Sequence, residues 1–131
     1  MKLLMIIAQE NYHPIEYGTP KKIFEDAGIE VVTASKKIGT CTDKEGGTTE
    51  ATVSIDELDV LSYDAIVFVG GSGARKYQHD LQAHLTAKNT LDKGKVLGAI
   101  CIAPTILAYS GVLNGKNATV HSGDGVADKV L

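Results

Sequence analysis

The run Leu3-Leu4-Met5-Ile6-Ile7-Ala8 constrains the fold more than any other stretch. It is apolar without alternation, as expected of a strand covered on both faces. It resembles the core of a signal peptide only superficially. It is too short, carries one charge at Lys2, and turns polar at Gln9-Glu10-Asn11. Gln9 to His13 is expected to be a loop at that strand's carboxyl end. Pro14 to Ala27 then reads as a helix, with Ile15, Ile23, Phe24 and Ala27 on its packed side and Gly28 as its stop. Pro20 is expected to kink or break it. Ile29 to Ala34 reads as a second strand. A strand–helix–strand opening argues for an α/β sheet with a right-handed crossover.

The remaining elements follow in the same way. Ser35 to Glu50 is polar and Gly-rich and reads as short strands joined by a hairpin. Cys41 lies within it and reads as a spectator thiol. Ser54 to Leu58 reads as a capped helical turn. Tyr63 to Val69 reads as a buried strand ending in Gly70-Gly71-Ser72-Gly73. Tyr77 to Lys93 reads as a longer helix with Leu81, Leu85 and Leu91 inward. Lys95-Val96-Leu97 is a strand, Thr105 to Tyr109 a helix, and Gly111 its end. Ala118-Thr119-Val120 is expected to be a further strand, and Asp124 to Leu131 a helix with Val126 and Val130 apolar. No repeat or linker interrupts the 131 residues, which read as one domain.

Composition narrows the function. A net charge of -3 offers no basic surface for nucleic acid. No apolar run approaches the length of a membrane span. Two cysteines, far apart, make neither a disulfide framework nor a zinc site, so no metal is expected and a reducing, cytoplasmic setting is.

The chemistry concentrates at Gly98-Ala99-Ile100-Cys101-Ile102-Ala103-Pro104. Cys101 falls where a strand turns into a helix, with Ala99 and Ala103 two positions to either side. A nucleophile elbow needs small residues at those places. The following helix is expected to turn its positive end toward the sulfur and lower the thiol pKa. Pro104 suits that helix's first turn. A cysteine at a strand end is, equally, a common packing residue.

Gly70 to Gly73 also lies at the carboxyl edge of the sheet, where open α/β folds bind ligands. The spacing fits neither a dinucleotide fingerprint, since position 76 is Lys76, nor a Walker loop. The amides of Gly71 and Ile102 are candidates for an oxyanion hole, although the glycines also suit an ordinary turn. Glu16, in the first turn of the first helix, faces the same edge and is a candidate proton carrier that could stay protonated beside a thiolate. An isolated helix glutamate is more often a solvated charge. His121 is a candidate base oriented by Asp124, or simply a polar strand end. His13 is a weaker candidate, and His79 and His84 read as surface residues.

Together these residues resemble the DJ-1/PfpI (ThiJ/PfpI) family over nearly the whole chain. Ala99-Ile100-Cys101-Ile102-Ala103-Pro104-Thr105 is similar to its A-I-C-x-x-P elbow, and Val69-Gly70-Gly71 to its Gly-Gly turn. Glu16, with Pro20 and Ala27-Gly28, is similar to its acid-bearing helix, and His121 follows Cys101 by twenty residues as in the DJ-1-like branch. The resemblance implies a flavodoxin-like three-layer sandwich of the class I glutamine amidotransferase type. It also implies a homodimer and a Glu16–Cys101 pair with a low-pKa thiolate, needing no cofactor. Implied activities are glyoxalase III-type or deglycase chemistry on small aldehydes, peptidase action, and oxidant sensing or chaperoning by Cys101 oxidation. The peptidase branch carries His after its nucleophile; Ile102 stands there instead. The family continues past the position of Leu131 with more strands and a C-terminal helix, so a truncated or inactive member is a further alternative.

Overall fold

The N-terminal apolar run becomes the central strand of a parallel sheet. In the computed structural model, which describes every residue except 124 and 126, β1 (Lys2–Ile6) lies between β3 (Glu30–Ser35) and β7 (Ala65–Phe68). Leu4 pairs with Val32 on one side and Ile66 on the other. β8 (Val96–Ala99) and the short β6 (Val53–Ser54) form the edges, giving the order β6-β3-β1-β7-β8 with every pairing parallel.

Alternation along β1 divides two cores. Leu3, Met5 and Ile7 face α1 (Pro14–Asp26), packing with its Tyr17 and Phe24. Leu4 and Ile6 face α2 (Leu81–Asp92) and α3 (Pro104–Ser110), packing with Ala83, Ala87, Ile106 and Leu107. Two covered faces are what the uninterrupted apolar run demands. The α/β class and the flavodoxin-like layering expected from sequence are therefore found.

A second, three-stranded sheet lies beside the first. β2 (Glu10–Tyr12) runs parallel to β4 (Gly39–Asp43), which forms the expected hairpin with β5 (Thr48–Ala51). The stretch expected to be a loop after β1 thus contains a strand. Its cause is non-local: Tyr12 is buried and its hydroxyl donates to Thr49 Oγ1 at 2.8 Å. Tyr12 also packs edge-on against Tyr17, ring centroids 5.6 Å apart.

The helices turn different faces inward from those expected. Ile15 and Ile23 are 64% and 62% exposed, while Tyr17 and Phe24 supply the packed stripe, seven residues apart. Ala27 is exposed as the C-cap, and α1 runs through Pro20 as one element. In α2, which begins at Leu81 after a separate 3-10 turn at Ser72–Tyr77, Leu81 is 68% exposed and Leu85 and Leu91 are also outward. Ala83, Thr86, Ala87 and Thr90 are inside. The two threonines are buried without loss because each hydroxyl donates one turn back, Thr86 to Gln82 O at 2.8 Å and Thr90 to Thr86 O at 2.6 Å. Small residues at these positions let the helix approach the sheet closely.

The C-terminal expectations fare differently. Residues 118–120 form no strand; no ladder among the described residues pairs them with the sheet, and the backbone bond to the elbow comes one residue later, His121 N donating to Cys101 O. The last described element is a single 3-10 turn, Ala127–Val130. Asp124 and Val126 lie outside the described residues. On β8, Val96 is 67% exposed and Ile100 beyond it is also exposed. No helix among the described residues is long and apolar enough to cross a membrane.

Asp80 illustrates how the helices are anchored. It is the N-cap of α2, accepting from Ala83 N at 3.0 Å, and its other oxygen lies 2.8 Å from Lys36 Nζ. Burial works against its ionised form, but Lys36 and the Ala83 amide outweigh that and hold its carboxyl below the usual aspartate range. Asp80→Ala is expected to cost about 1 kcal/mol through the lost cap. A depressed folded value means this contribution is present above pH ~4 and lost as pH falls through the lower folded value. Urea unfolding of both forms should show a difference at pH 7 that shrinks in acid.

Candidate active site

The site is built where three segments meet at the carboxyl edge of the sheet. After β8 the chain turns at Ile100 and Cys101 before α3 begins at Pro104. Cys101 has φ +64°, a conformation that side chains other than glycine's seldom adopt. The turn is fixed by Ile100 N donating to Phe68 O at 3.3 Å and Ala103 N donating to Ile100 O at 3.0 Å. Thr105, fully buried, donates to Ile102 O at 2.6 Å and accepts from Gln78 Nε2 at 2.8 Å. The result is a half-buried thiol held out of a strained elbow.

The second segment follows β7. Gly71 has φ +104° and ψ 157°, a region open essentially to glycine alone. A side chain there would also meet the backbone of Asn11 to His13, the nearest atom at 2.5 Å. This close approach brings the Gly71 amide to the sulfur, where it joins the Ile102 amide as a donor. The polarity at the sulfur thus comes from these two amides.

The third segment is the start of α1, which carries Glu16. Its carboxyl group interacts with the Cys101 thiol. Its Oε1 is buried and has no conventional hydrogen-bond donor. His13 is the helix N-cap: its Nδ1 accepts from Glu16 N at 3.4 Å, and its Nε2 lies 3.6 Å from Glu16 Oε2.

With Glu16 as a carboxylate, burial first and then the glutamate's charge push the Cys101 thiol up, against the pull of the Gly71 and Ile102 amides. This is opposite to the lowering expected from the α3 terminus. The helix is only seven residues long and starts three residues beyond the sulfur, so its end effect is small beside a buried carboxylate. A proton placed on Oε1 instead turns the repulsion into a hydrogen bond to sulfur. The pair then behaves as one unit sharing a proton.

Of the candidate residues, the structure brings together Cys101, Glu16, Gly71 and Ile102. His121 reaches the elbow through its backbone, its N–H donating to Cys101 O at 2.8 Å, while the residue is exposed and its ring lies over Gly123. Cys41 is buried among Gln9 and β4 backbone, within the α1-side core rather than at the elbow. His84 bonds locally to Gln78 O, and His79 packs at a tilt against Tyr109. No group of His, Cys, Asp and Glu among the described residues is arranged to hold a metal.

Two residues have roles that the sequence reading did not assign, although it named both, Gly70 within the glycine turn and His13 as a weaker candidate. Gly70 is one: a Cβ there would overlap Glu16 Oε1, lie 2.7 Å from Cys101 Cβ and 2.9 Å from Ile100 O. The capping role of His13 is the other, signalled only by a polar residue directly before a helix-starting proline.

The site and fold define a class: an α/β domain with a strained cysteine elbow, a facing glutamate and a Gly-Gly donor loop. The chain belongs to the DJ-1/PfpI family, whose family model matches residues 1–130. An uncharacterized protein of Methanocaldococcus jannaschii is 35% identical over 121 residues, covering 92% of this chain and 59% of that protein. The chain therefore spans little more than half the length of that relative. Deglycase PfpI of Pyrococcus furiosus is 31% identical over 123 residues, covering 94% of this chain and 74% of that one. The solved ThiJ/PfpI domain protein of Brachyspira murdochii superposes with a TM-score of 0.92 at 34% identity, covering 98% of this chain and 74% of that one.

Gly70 offers a direct check on this geometry. Gly70→Ala is expected to displace the Glu16 carboxyl, destabilise the fold by about 1–3 kcal/mol as overpacking does, and move the pH profile of Cys101 alkylation toward that of Glu16→Gln. Gly98→Ala is the control, since a Cβ there meets only the Val67 side chain, Cγ2 at 3.4 Å and Cγ1 at 3.9 Å; its alkylation profile should match that of the unsubstituted protein.

Proposed function

We propose that this chain carries the catalytic site of a cofactor-independent cysteine enzyme acting on small reactive carbonyls, in the manner of a glyoxalase III or deglycase. The observation that carries the reading is the unpartnered, buried Glu16 Oε1 beside the Cys101 thiol. A buried carboxylate oxygen without a donor is costly. A proton on Oε1 directed at sulfur removes that cost and leaves a thiolate facing three donors: Oε1–H and the amides of Gly71 and Ile102. Relatives named deglycases, among them those of Pyrococcus furiosus and Escherichia coli, support the substrate class.

In this scheme the Cys101 sulfur lone pair attacks an aldehyde carbon. A C–S bond forms, the carbonyl π pair moves onto oxygen, and the Glu16 proton passes to that oxygen. The product is a neutral hemithioacetal and a carboxylate. The Gly71 and Ile102 amides, freed from the sulfur's charge, stabilise the developing oxyanion. Glu16 is then the base for the next proton removal. His121, exposed and anchored to the elbow by its backbone, is an assisting group at the entrance. A second copy of the chain, as the family resemblance implies, is the proposed partner.

A second reading rests on a different observation. Cys101 is half-exposed whereas Cys41 is buried. Oxidation by peroxide would therefore be selective for Cys101, with the sulfinate oxygens taking the same three donors. One solved relative, Toxoplasma gondii DJ-1, was described in an oxidized form.

The two readings separate in a Cys41→Ser background. Methylglyoxal turnover should fall by ~10³-fold or more in Cys101→Ala and by ~10²–10⁴-fold in Glu16→Gln. Peroxide consumption by Cys101 without any turnover would replace the enzyme by the sensor. The alkylation midpoint of Cys101 should lie below the ~8.5 of a free thiol and rise in Glu16→Gln. A midpoint above that value, falling in Glu16→Gln, would place the shared proton on sulfur.

A further inference from the structure

The residue that caps the helix of Glu16 also faces its carboxyl group. His13 Nδ1 accepts a hydrogen bond from the Glu16 backbone N–H at 3.4 Å, so that nitrogen carries a lone pair. The ring's proton therefore sits on Nε2. Nε2 lies 3.6 Å from Glu16 Oε2, longer than a hydrogen bond but near enough to set that nitrogen beside one oxygen of the carboxyl group. The other oxygen, Oε1, is the one without a donor, facing Gly70 and Cys101. His13 is in addition tied to the opposite wall, its own N–H donating to Gly70 O at 3.0 Å.

We propose that His13 is a positioning residue that holds Glu16 at its backbone and sets a donor nitrogen beside Oε2, and so assigns the carboxyl proton to Oε1, the oxygen facing Cys101. The proposal rests on the Glu16–Cys101 pairing described above. Its physical basis is the difference between the two carboxyl oxygens. An N–H beside Oε2 favours a bare, accepting oxygen there. A shared proton is then left on the other oxygen, where the sulfur is the available acceptor. Without that N–H, nothing at Oε2 favours a bare oxygen, and a proton seated there does not serve the thiolate. His13 does not touch the sulfur and acts only through Glu16.

Two substitutions divide its duties. Asparagine places an acceptor where Nδ1 is and is a good N-cap, but has nothing at the position of Nε2. Glutamine reaches the position of Nε2 with an amide donor but lacks the short cap acceptor. In the Cys41→Ser background, His13→Asn should keep the melting temperature and shift the Cys101 alkylation midpoint in the direction of Glu16→Gln. A shift of half to one pH unit corresponds to about a three- to tenfold change in rate at neutral pH. His13→Gln should do the reverse, lowering the melting temperature while keeping the midpoint. The proposal is overturned if His13→Asn leaves the midpoint in place while Glu16→Gln moves it, and the Glu16–Cys101 pairing then survives alone. If Glu16→Gln moves nothing, the pairing itself fails and the role of His13 falls with it. If both His13 variants change only the melting temperature, His13 is a helix cap and no more.

Discussion

Everything at this site depends on how closely two stretches of backbone approach each other. Gly71 lies against Asn11, Tyr12 and His13, and Gly70 against Glu16 and the Ile100–Cys101 turn, with no room for a Cβ on either glycine. The contact is sealed by His13 N donating to Gly70 O. It brings a helix that starts after the first strand up to a loop that ends the neighbouring one. The Gly71 amide, the Glu16 carboxyl and the Cys101 elbow are then within reach of one another. Ordinary side chains at 70 and 71 would hold those segments apart. The three groups would still exist, but as a glutamate, an amide and a cysteine without a common environment. Asn11, at φ +62°, shows that the strain is shared by both sides of the contact.

What could be read from the sequence was what is local. The elbow announces itself through Ala99, Ala103 and Pro104, because the demands of a strand-to-helix turn fall on adjacent residues. The uninterrupted apolar run at Leu3 to Ala8 announces a strand with two covered faces, and the two cores confirm it. The helix faces were illegible for a specific reason. Leucines at 81, 85 and 91 look like a core stripe until Thr86 and Thr90 satisfy their hydroxyls within their own helix and take the inner side. The strand β2 was hidden because its partner lies some thirty residues away and its anchor is a tyrosine hydroxyl reaching Thr49.

The site shows the same division. Cys101, Glu16, Gly71 and Ile102 could be singled out because each occupies a recognisable local position. Their electrostatics could not, since the sulfur answers first to its burial and then to the carboxylate of a distant helix. The role of Gly70 was equally non-local: a glycine is required there by an oxygen 54 positions earlier in the chain and a Cβ 31 positions later. His13 read as a loop histidine because its ring is defined by what it caps and what it faces, neither of which is written in the residues beside it.

The two cysteines give this chain a pair of internal clocks running on different physics. Cys41 is fully enclosed between the small sheet and α1, its sulfur close to Gln9 Nε2 at 3.5 Å. Its modification has to wait for the β2-β4-β5 layer to lift, so its rate counts opening events of the structure. Cys101 is half-exposed at its strained elbow, and its rate counts thiolate instead. Because the layer that shields one thiol also supplies the Asn11–His13 wall behind the other, a solvent or substitution that loosens the small sheet should set both clocks at once, and one that alters only the chemistry should reset only the second.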